Sequence, residues 1–277
     1  MSDFVLTCES GADRTREFFA SRNIPVVYFH YEIDGVVYDD DLYQSISPDE
    51  FFAKIAAGAD CTTAAVNVGQ FTDAMEKVLQ EGKDILCVCF SSALSTTYQS
   101  ACIAAEDLRE KYPEAKILVI DSLSASRGQG MLLYRAVRER REKNLTIDEL
   151  DAYVRSIIQS QCHWFIVDDL NHLKRGGRVS ATAALVGTML GIKPVMHTSD
   201  EGKLVPVSKV RGRKASLKAL IDKIAELGIE PSEQVMFICH ADCEVEARAV
   251  AEEMKARYGV KEVYINYIGP VIGSHTG

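Results

Sequence analysis

The chain has 277 residues, enough for two ordinary domains, and 47% of them are hydrophobic, a composition that builds a buried core. Its formal net charge of −9 argues against a general nucleic-acid binder, because a phosphate backbone demands a basic footprint. No run of about 18 apolar residues occurs, so no membrane-spanning helix is expected. The start, "MSDFVLTCES", lacks the basic region and apolar core of a signal sequence. It reads as the first strand of a folded domain.

In chain order, "FVLTC" is a strand, followed by a helix near Asp13 to Ser21. "VVYFHYEI" and "VVYDD" flank Asp34-Gly35, the dipeptide that type I′ hairpin turns favour. Ser47, Pro48 and Glu50 form a capping box with proline at the first helical position. Asn67 with Gln70 starts another helix in the same way. "DILCVCF", a helix through "YQSACIAAEDLREKY", and "AKILVID" form a strand, helix, strand unit of the length a parallel crossover needs. A helix from about Gly130 to Lys143 and one capped by Thr146 and Glu149 complete the first half.

The second half starts near "HWFIVDDL". A helix is expected around Ala181 to Leu190, then strands "KPVMHT" and "KLVPVSKV" joined by "SDEGK". A helix from Lys214 to Leu227, the strand "QVMFICH", a helix from Glu244 to Tyr258 and the strand "EVYINYI" follow. No linker marks a boundary, so the division between residues 1–160 and 161–277 rests on pattern alone.

The richest polar stretch is "CFSSALSTTYQSA". It carries seven hydroxyl side chains between Ser91 and Ser100, at the junction of a strand and a helix. Strand carboxyl ends are where open α/β sheets bind ligands, and a helix N-terminus there favours an anion. One serine would be read as a cap. Four clustered hydroxyls, Ser92, Ser95, Thr96 and Thr97, favour anion binding. A nucleophilic serine is the competing idea, giving a hydrolase or acyl transferase; it lacks the G-x-S-x-G elbow and an identified base. Thr62 and Thr63 form a second hydroxyl pair in the loop before a capped helix. "DSLSASRGQG" holds Ser122 at another strand end, but no G-x-G-x-x-G or Walker A motif occurs.

"LKRGGRVS" sets Lys174, Arg175 and Arg178 around two glycines, whose backbone N–H groups can converge on an anion. "KVRGRK" is a local basic patch with Lys209, Arg211, Arg213 and Lys214, suited to an acidic partner, phosphate or a membrane surface. "YDDD" and "VDDL" have no metal-ligand spacing. The eight cysteines include no CxxC pair, so neither zinc nor a redox motif is expected and reduced, cytosolic thiols are. "GPVIGSHTG", closing on His275, reads as a tail, functional only if packed into a cleft.

Taken together, "CESGAD", "CTTAAV", "SSALSTTYQSA", "DSLSASRGQG", "LKRGGRVS", "LGIKPVM", "KVRGRK" and "GPVIGSHTG" resemble the DegV family in content and order. The resemblance covers nearly the whole chain. It implies an α/β fold of two domains, an N-terminal three-layer domain with a parallel sheet and a C-terminal two-layer domain with a mixed sheet. It further implies a long-chain fatty acid, of the palmitate or oleate class, held between them, with no other cofactor and no metal. In this family a separate ATP-dependent kinase subunit converts the carboxylate to an acyl phosphate that feeds phospholipid synthesis. The chain itself is then a cytoplasmic carrier, not an enzyme, touching a membrane surface at most transiently.

Carried over by position, the carboxylate-binding residues are Thr62 or Thr63, Ser92 or Ser95, and His275. Arg175 and Ser122 are expected in support, and Arg211 and Arg213 in partner docking. Phe71, Met131, Met189 and Leu190 are candidates for tunnel lining. The sequence departs from the family across Thr62, Thr63, Ala64, Ala65 and Val66, where members often read Thr-Ser-Gln-Pro-Ser, and at Thr96, where glycine is frequent.

Overall fold

The computed structural model describes residues 3–168, 170–180 and 191–277. Its centre is a parallel sheet in the order β2-β1-β6-β7, made of β1 (Phe4–Glu9), β2 (Val26–Val27), β6 (Asp84–Cys89) and β7 (Ile117–Asp121). Every residue of β6 is buried, which is why it reads as an unbroken apolar run: a central parallel strand is covered on both faces.

The period of two sorts its side chains between those faces. Ile85, Cys87 and Cys89 join Phe71, Met75, Ala101, Ala104, Ala105 and Leu108, from α3 (Val68–Gln80) and α4 (Thr97–Lys111). Leu86 and Val88 join Leu132, Leu133, Leu150 and Val154, from α5 (Ser126–Lys143) and α6 (Ile147–Ile157). Three layers result. Truncating any of the wholly buried leucines Leu86, Leu132 or Leu150 to alanine costs about 2–5 kcal/mol.

Local signals act where they were read. Ser47 accepts from the Glu50 N–H and starts α2 (Pro48–Ala56), one half of the capping box expected there, while Asn67 with Gln70 and Thr146 with Glu149 form both halves of theirs. Asp34 and Gly35, both at positive φ (49° and 83°), turn β3 (His30–Ile33) into β4 (Val36–Asp39).

Two first-half elements differ from the reading. The expected helix from Asp13 shrinks to α1 (Arg16–Ala20), because Asp13 is left-handed at φ 49° and Thr15, accepting from Phe18, is the true cap. Helix α5 begins at Ser126, not Gly130. A Cβ at Gly130 would strike the Ala12 carbonyl, so glycine there lets the helix lie against the loop after β1.

Thr62 and Thr63 also lie in a strand, not a loop. β5 (Cys61–Ala64) pairs antiparallel with β3, Tyr31 opposite Thr63, in a sheet ordered β4-β3-β5. Its partner is about 30 residues away in sequence, so no local pattern announces the pairing.

In the second half, β8 (Trp164–Ile166), β9 (Ile192–Thr198) and β10 (Leu204–Arg211) form an antiparallel sheet. α8 (Arg213–Leu227) packs on it. β11 (Val235–His240) and β12 (Glu262–Tyr267) pair in parallel, with α9 (Glu244–Tyr258) against them. The helix expected around Ala181 to Leu190, with Met189 and Leu190, lies outside the described residues. The short α7 (Asn171–Arg175) precedes the two glycines Gly176 and Gly177.

The end of the chain is a helix, α10 (Pro270–Thr276). It returns to the first half and packs on α2, β3 and β5, and also on α7. Proline at its first position pre-sets the backbone, and Val271 is buried with Ile268 in the same core as β3 and α2.

Candidate functional site

The return of α10 carries His275 to β5. Adjacent strand residues face opposite sides of a sheet, so Thr63 turns inward while Thr62 is exposed. Thr63 Oγ1 lies 2.9 Å from His275 Nε2. Burial, and then the nearby Arg178 guanidinium, push the imidazole down to about 4. His275 is therefore neutral at pH 7, with one donor and one acceptor nitrogen. Its ring rests against Gly176, where a Cβ would collide with Nδ1. That close approach explains one glycine of "KRGGR".

Arg178 spans the gap between α7 and the loop after β6. Its Nε donates to the Leu94 carbonyl at 3.1 Å and its terminal nitrogen to the Gly176 carbonyl. One residue beyond Leu94, Ser95 Oγ lies 2.8 Å from Thr97 Oγ1 and accepts the Thr97 N–H at 3.2 Å. Thr97 Oγ1 in turn accepts the Val66 N–H at 3.2 Å, so the segment after β5 is tied to the start of α4. Thr63, Ser95, Thr97, Arg178 and His275 are thus connected through their shared neighbours Leu94, Val66 and Gly176. Thr96, exposed, holds the N-cap position without a side-chain cap bond, and Ser95 instead accepts the first helical N–H, that of Thr97.

The other hydroxyls have different duties. Ser91 is wholly buried and donates to the Gly202 carbonyl at 2.9 Å, fastening the β6 loop to the β9–β10 turn. The Ser92 side chain is exposed, and its N–H bonds Asp121 Oδ1 at 3.2 Å. Ser122 is buried and bonds the Ser124 backbone within its own turn.

Arg175 is exposed and donates to His172 Nδ1 at 2.9 Å. The arginine that stands with His275 is Arg178. The sequence signal for it was present, since both arginines flank the glycine pair. Only the turn at Gly177, φ 73°, decides which one faces inward.

Arg211 is exposed at the end of β10. Arg213 is engaged, with two nitrogens 2.9 and 2.6 Å from Glu246 Oε2 and another 3.5 Å from Asp168. Phe71 is wholly buried in the core and Met131 is half-buried on α5.

The chemistry available is anion holding. Among the described residues no three His, Cys, Asp or Glu side chains stand together as a metal would need. The serine–histidine contact among them is Ser124 Oγ to His163 Nδ1, 2.9 Å. It lies outside the Ser91–Ser100 cluster, whose Ser95 pairs with a threonine. No helix among the described residues is long and apolar enough to cross a membrane.

A family model described as "Uncharacterised protein, DegV family" matches residues 3–277. The chain belongs to the DegV family. A DegV domain-containing protein of Clostridium perfringens is 41% identical over 277 residues, spanning 100% of this chain and 95% of that one. Among solved DegV structures, a fatty acid binding protein of Streptococcus agalactiae is 26% identical with TM-score 0.85, covering 100% of this chain and 96% of its own. A DegV protein of Ruminococcus gnavus, solved with vaccenic acid, is 25% identical with TM-score 0.87, covering 99% and 96%. The α/β architecture described above is thus the DegV fold.

Proposed function

We propose that this protein binds a long-chain fatty acid between its 1–160 and 161–277 parts. It then presents the carboxylate to a separate ATP-dependent kinase subunit that forms an acyl phosphate. The observation that carries this reading is the Thr63 hydroxyl, held 2.9 Å from a neutral His275 beside Arg178. That the solved Streptococcus agalactiae and Ruminococcus gnavus relatives bind fatty acids supports it.

The tail supplies most of the affinity. A buried CH₂ contributes about 0.8 kcal/mol, so roughly 14 methylenes offer on the order of 11 kcal/mol, less the cost of ordering the chain. The head group must then be buried without penalty, which requires donors. With the Nε2–H tautomer, His275 donates to Thr63 Oγ1 and leaves the Thr63 O–H free for a carboxylate oxygen. Ser95 supplies a second hydroxyl, and the Arg178 charge keeps the carboxyl ionised. Exposed Thr62, Ser92 and Ala93 border this cluster, so a bound carboxylate would lie near the surface, within reach of a kinase. Arg211 is the exposed cation we assign to docking. All eight cysteines are free thiols, which accords with a cytosolic carrier.

The test is a coupled assay with the partner kinase, ATP and radiolabelled oleate. Acyl phosphate should form only when both proteins are present, and should fall in Thr63→Val. Turnover that ignores this protein, or that survives the substitution at full rate, refutes the presentation role.

A further inference from the structure

The start of α10 is seated on two buried carboxyl groups. Asp13, in the loop after β1, and Asp40, just past β4, are 3% and 0% exposed. Asp13 accepts from Ser126 Oγ at 2.5 Å and from the Gly269 N–H at 2.9 Å, and the Arg127 guanidinium acts on it. Asp40 has no such support. Both of its oxygens are closed to solvent and lack a hydrogen-bond partner; Ser10 and the Val271 N–H are close by, outside hydrogen-bond geometry. Gly269 packs over both carboxyls. A Cβ there would stand 2.5 Å from Asp13 Oδ1 and 3.4 and 3.5 Å from the two oxygens of Asp40.

A carboxylate with neither solvent nor donors is costly, so this packing is that of a neutral acid at Asp40. Burial, and then the neighbouring Asp13, push Asp40 up to about 8. The other groups facing it are Asp41 and the phenols of Tyr31 and Tyr43, whose own ionisation burial pushes higher. The C-terminal segment meets it with backbone, at Gly269 and Val271. To ionise, Asp40 must reach water. A cavity of about 610 Å³, bordered by Asp40, Tyr43 and Gly269, opens beside it. Its own backbone is fixed, the N–H donating to the Phe29 carbonyl at 2.8 Å. The part that yields is the C-terminal segment. Beside the Gly269 bond to Asp13, that segment is attached here by Tyr43 O–H to the Ile268 carbonyl at 2.6 Å and by Asn266 to the Asp13 carbonyl at 3.3 Å.

We propose that Asp40 is a proton-operated latch on α10. Its neutral carboxyl seats the start of the helix, and loss of the proton favours a lifted helix, in which His275 leaves Thr63 and the ligand head group is released. The ligand half of this rests on the function proposed above, whereas the latch does not. Helix α10 has seven residues, a piece about 10 Å long, so a shift at Gly269 is felt at His275. The direction follows from linkage. Lifted and wet, Asp40 titrates near its ordinary 3.8; seated, near 8. Between these values lifting releases a proton. It therefore becomes easier as pH rises, by up to about tenfold per pH unit, and levels off above 8. Seating is firmest in acid.

The experiment compares wild-type protein with Asp40→Asn, a neutral isostere with no proton to lose, from pH 6.5 to 9, above the range in which His275 titrates. Amide hydrogen exchange of Val271 to Thr276 is taken as the ratio of wild type to variant at each pH. That ratio is expected to rise by up to about tenfold per pH unit as far as pH 8 and then to level off. The dissociation rate of a fluorescent fatty acid, chased with oleate and taken as the same ratio, is expected to follow the same curve. In case the variant does not fold, carbon-13 NMR of aspartate-labelled wild-type protein reads the Asp40 carboxyl directly, and a titration near pH 8 is expected. A constant exchange ratio, or an Asp40 that titrates in the ordinary carboxyl range, would overturn the latch. A rising exchange ratio with a constant dissociation ratio upholds the latch and refutes the head-group reading.

Discussion

Thr63 and His275 meet at 2.9 Å although 212 positions separate them in sequence. Strand β5 brings one and the returning helix α10 brings the other. The contact separates Thr63 from Thr62, its neighbour on the opposite face. Thr63→Val keeps the shape and removes the hydroxyl, and should weaken oleate binding about tenfold, the worth of a hydrogen bond to a charged group. Thr62→Val should leave affinity within about twofold. Displacement of a fluorescent fatty acid measures both, and equal effects would dissolve the distinction.

The two arginines of "KRGGR" should part in the same way. Arg178→Met removes the charge beside His275 and the bonds to Leu94 and Gly176. It is expected to lower oleate affinity by about tenfold or more, while Arg175→Met, on the exposed side, changes it little. The same titration decides, and a larger loss at Arg175 would move the head-group site.

His275 makes a pH prediction. Its folded pKa near 4 lies below the value of 6.5 for a free imidazole. Between these values the unfolded chain binds a proton that the folded chain does not, so stability rises with pH across this window. The gain is complete above 6.5 and lost as pH falls toward 4. At 1.36 kcal/mol per unit, and allowing for partial solvent screening, it amounts to on the order of 2 kcal/mol. His275→Gln should flatten this part of the profile. Urea unfolding of both proteins from pH 4 to 7 tests it. Parallel profiles would mean that the imidazole is not buried neutral.

Arg211 and Arg213 looked alike in sequence, but structure gives them different work. Arg213→Glu breaks the pairing with Glu246 and should lower the melting temperature by a few degrees. Arg211→Glu should leave melting unchanged and slow the coupled kinase assay. Loss of kinase coupling in neither variant would remove this surface from the docking account.

Much of the layered architecture was legible because its signals are local. The capping residues Ser47, Asn67 and Thr146, the Asp34-Gly35 turn and the apolar run of β6 each act over a few residues. β5 was not legible, since two threonines become a strand only through pairing with Tyr31 and Glu32 of β3. The last helix was hidden by its glycines: "GPVIGSHTG" has the composition of a tail and gains its structure from packing on β3, β5 and α2. The proposed head-group cluster was legible as residue types. Which hydroxyl of each pair turns inward depends on strand alternation at Thr63 and on the Ser95 contacts to Thr97, and Arg178 depends on one glycine turn.

The central claim is that the protein carries a long-chain fatty acid. Organic extraction of the purified, folded protein followed by mass spectrometry tests it most directly. The account predicts one long-chain fatty acid per chain, of the palmitate or oleate class. A protein that yields none, and whose melting temperature does not move when palmitate or oleate is added, would contradict it.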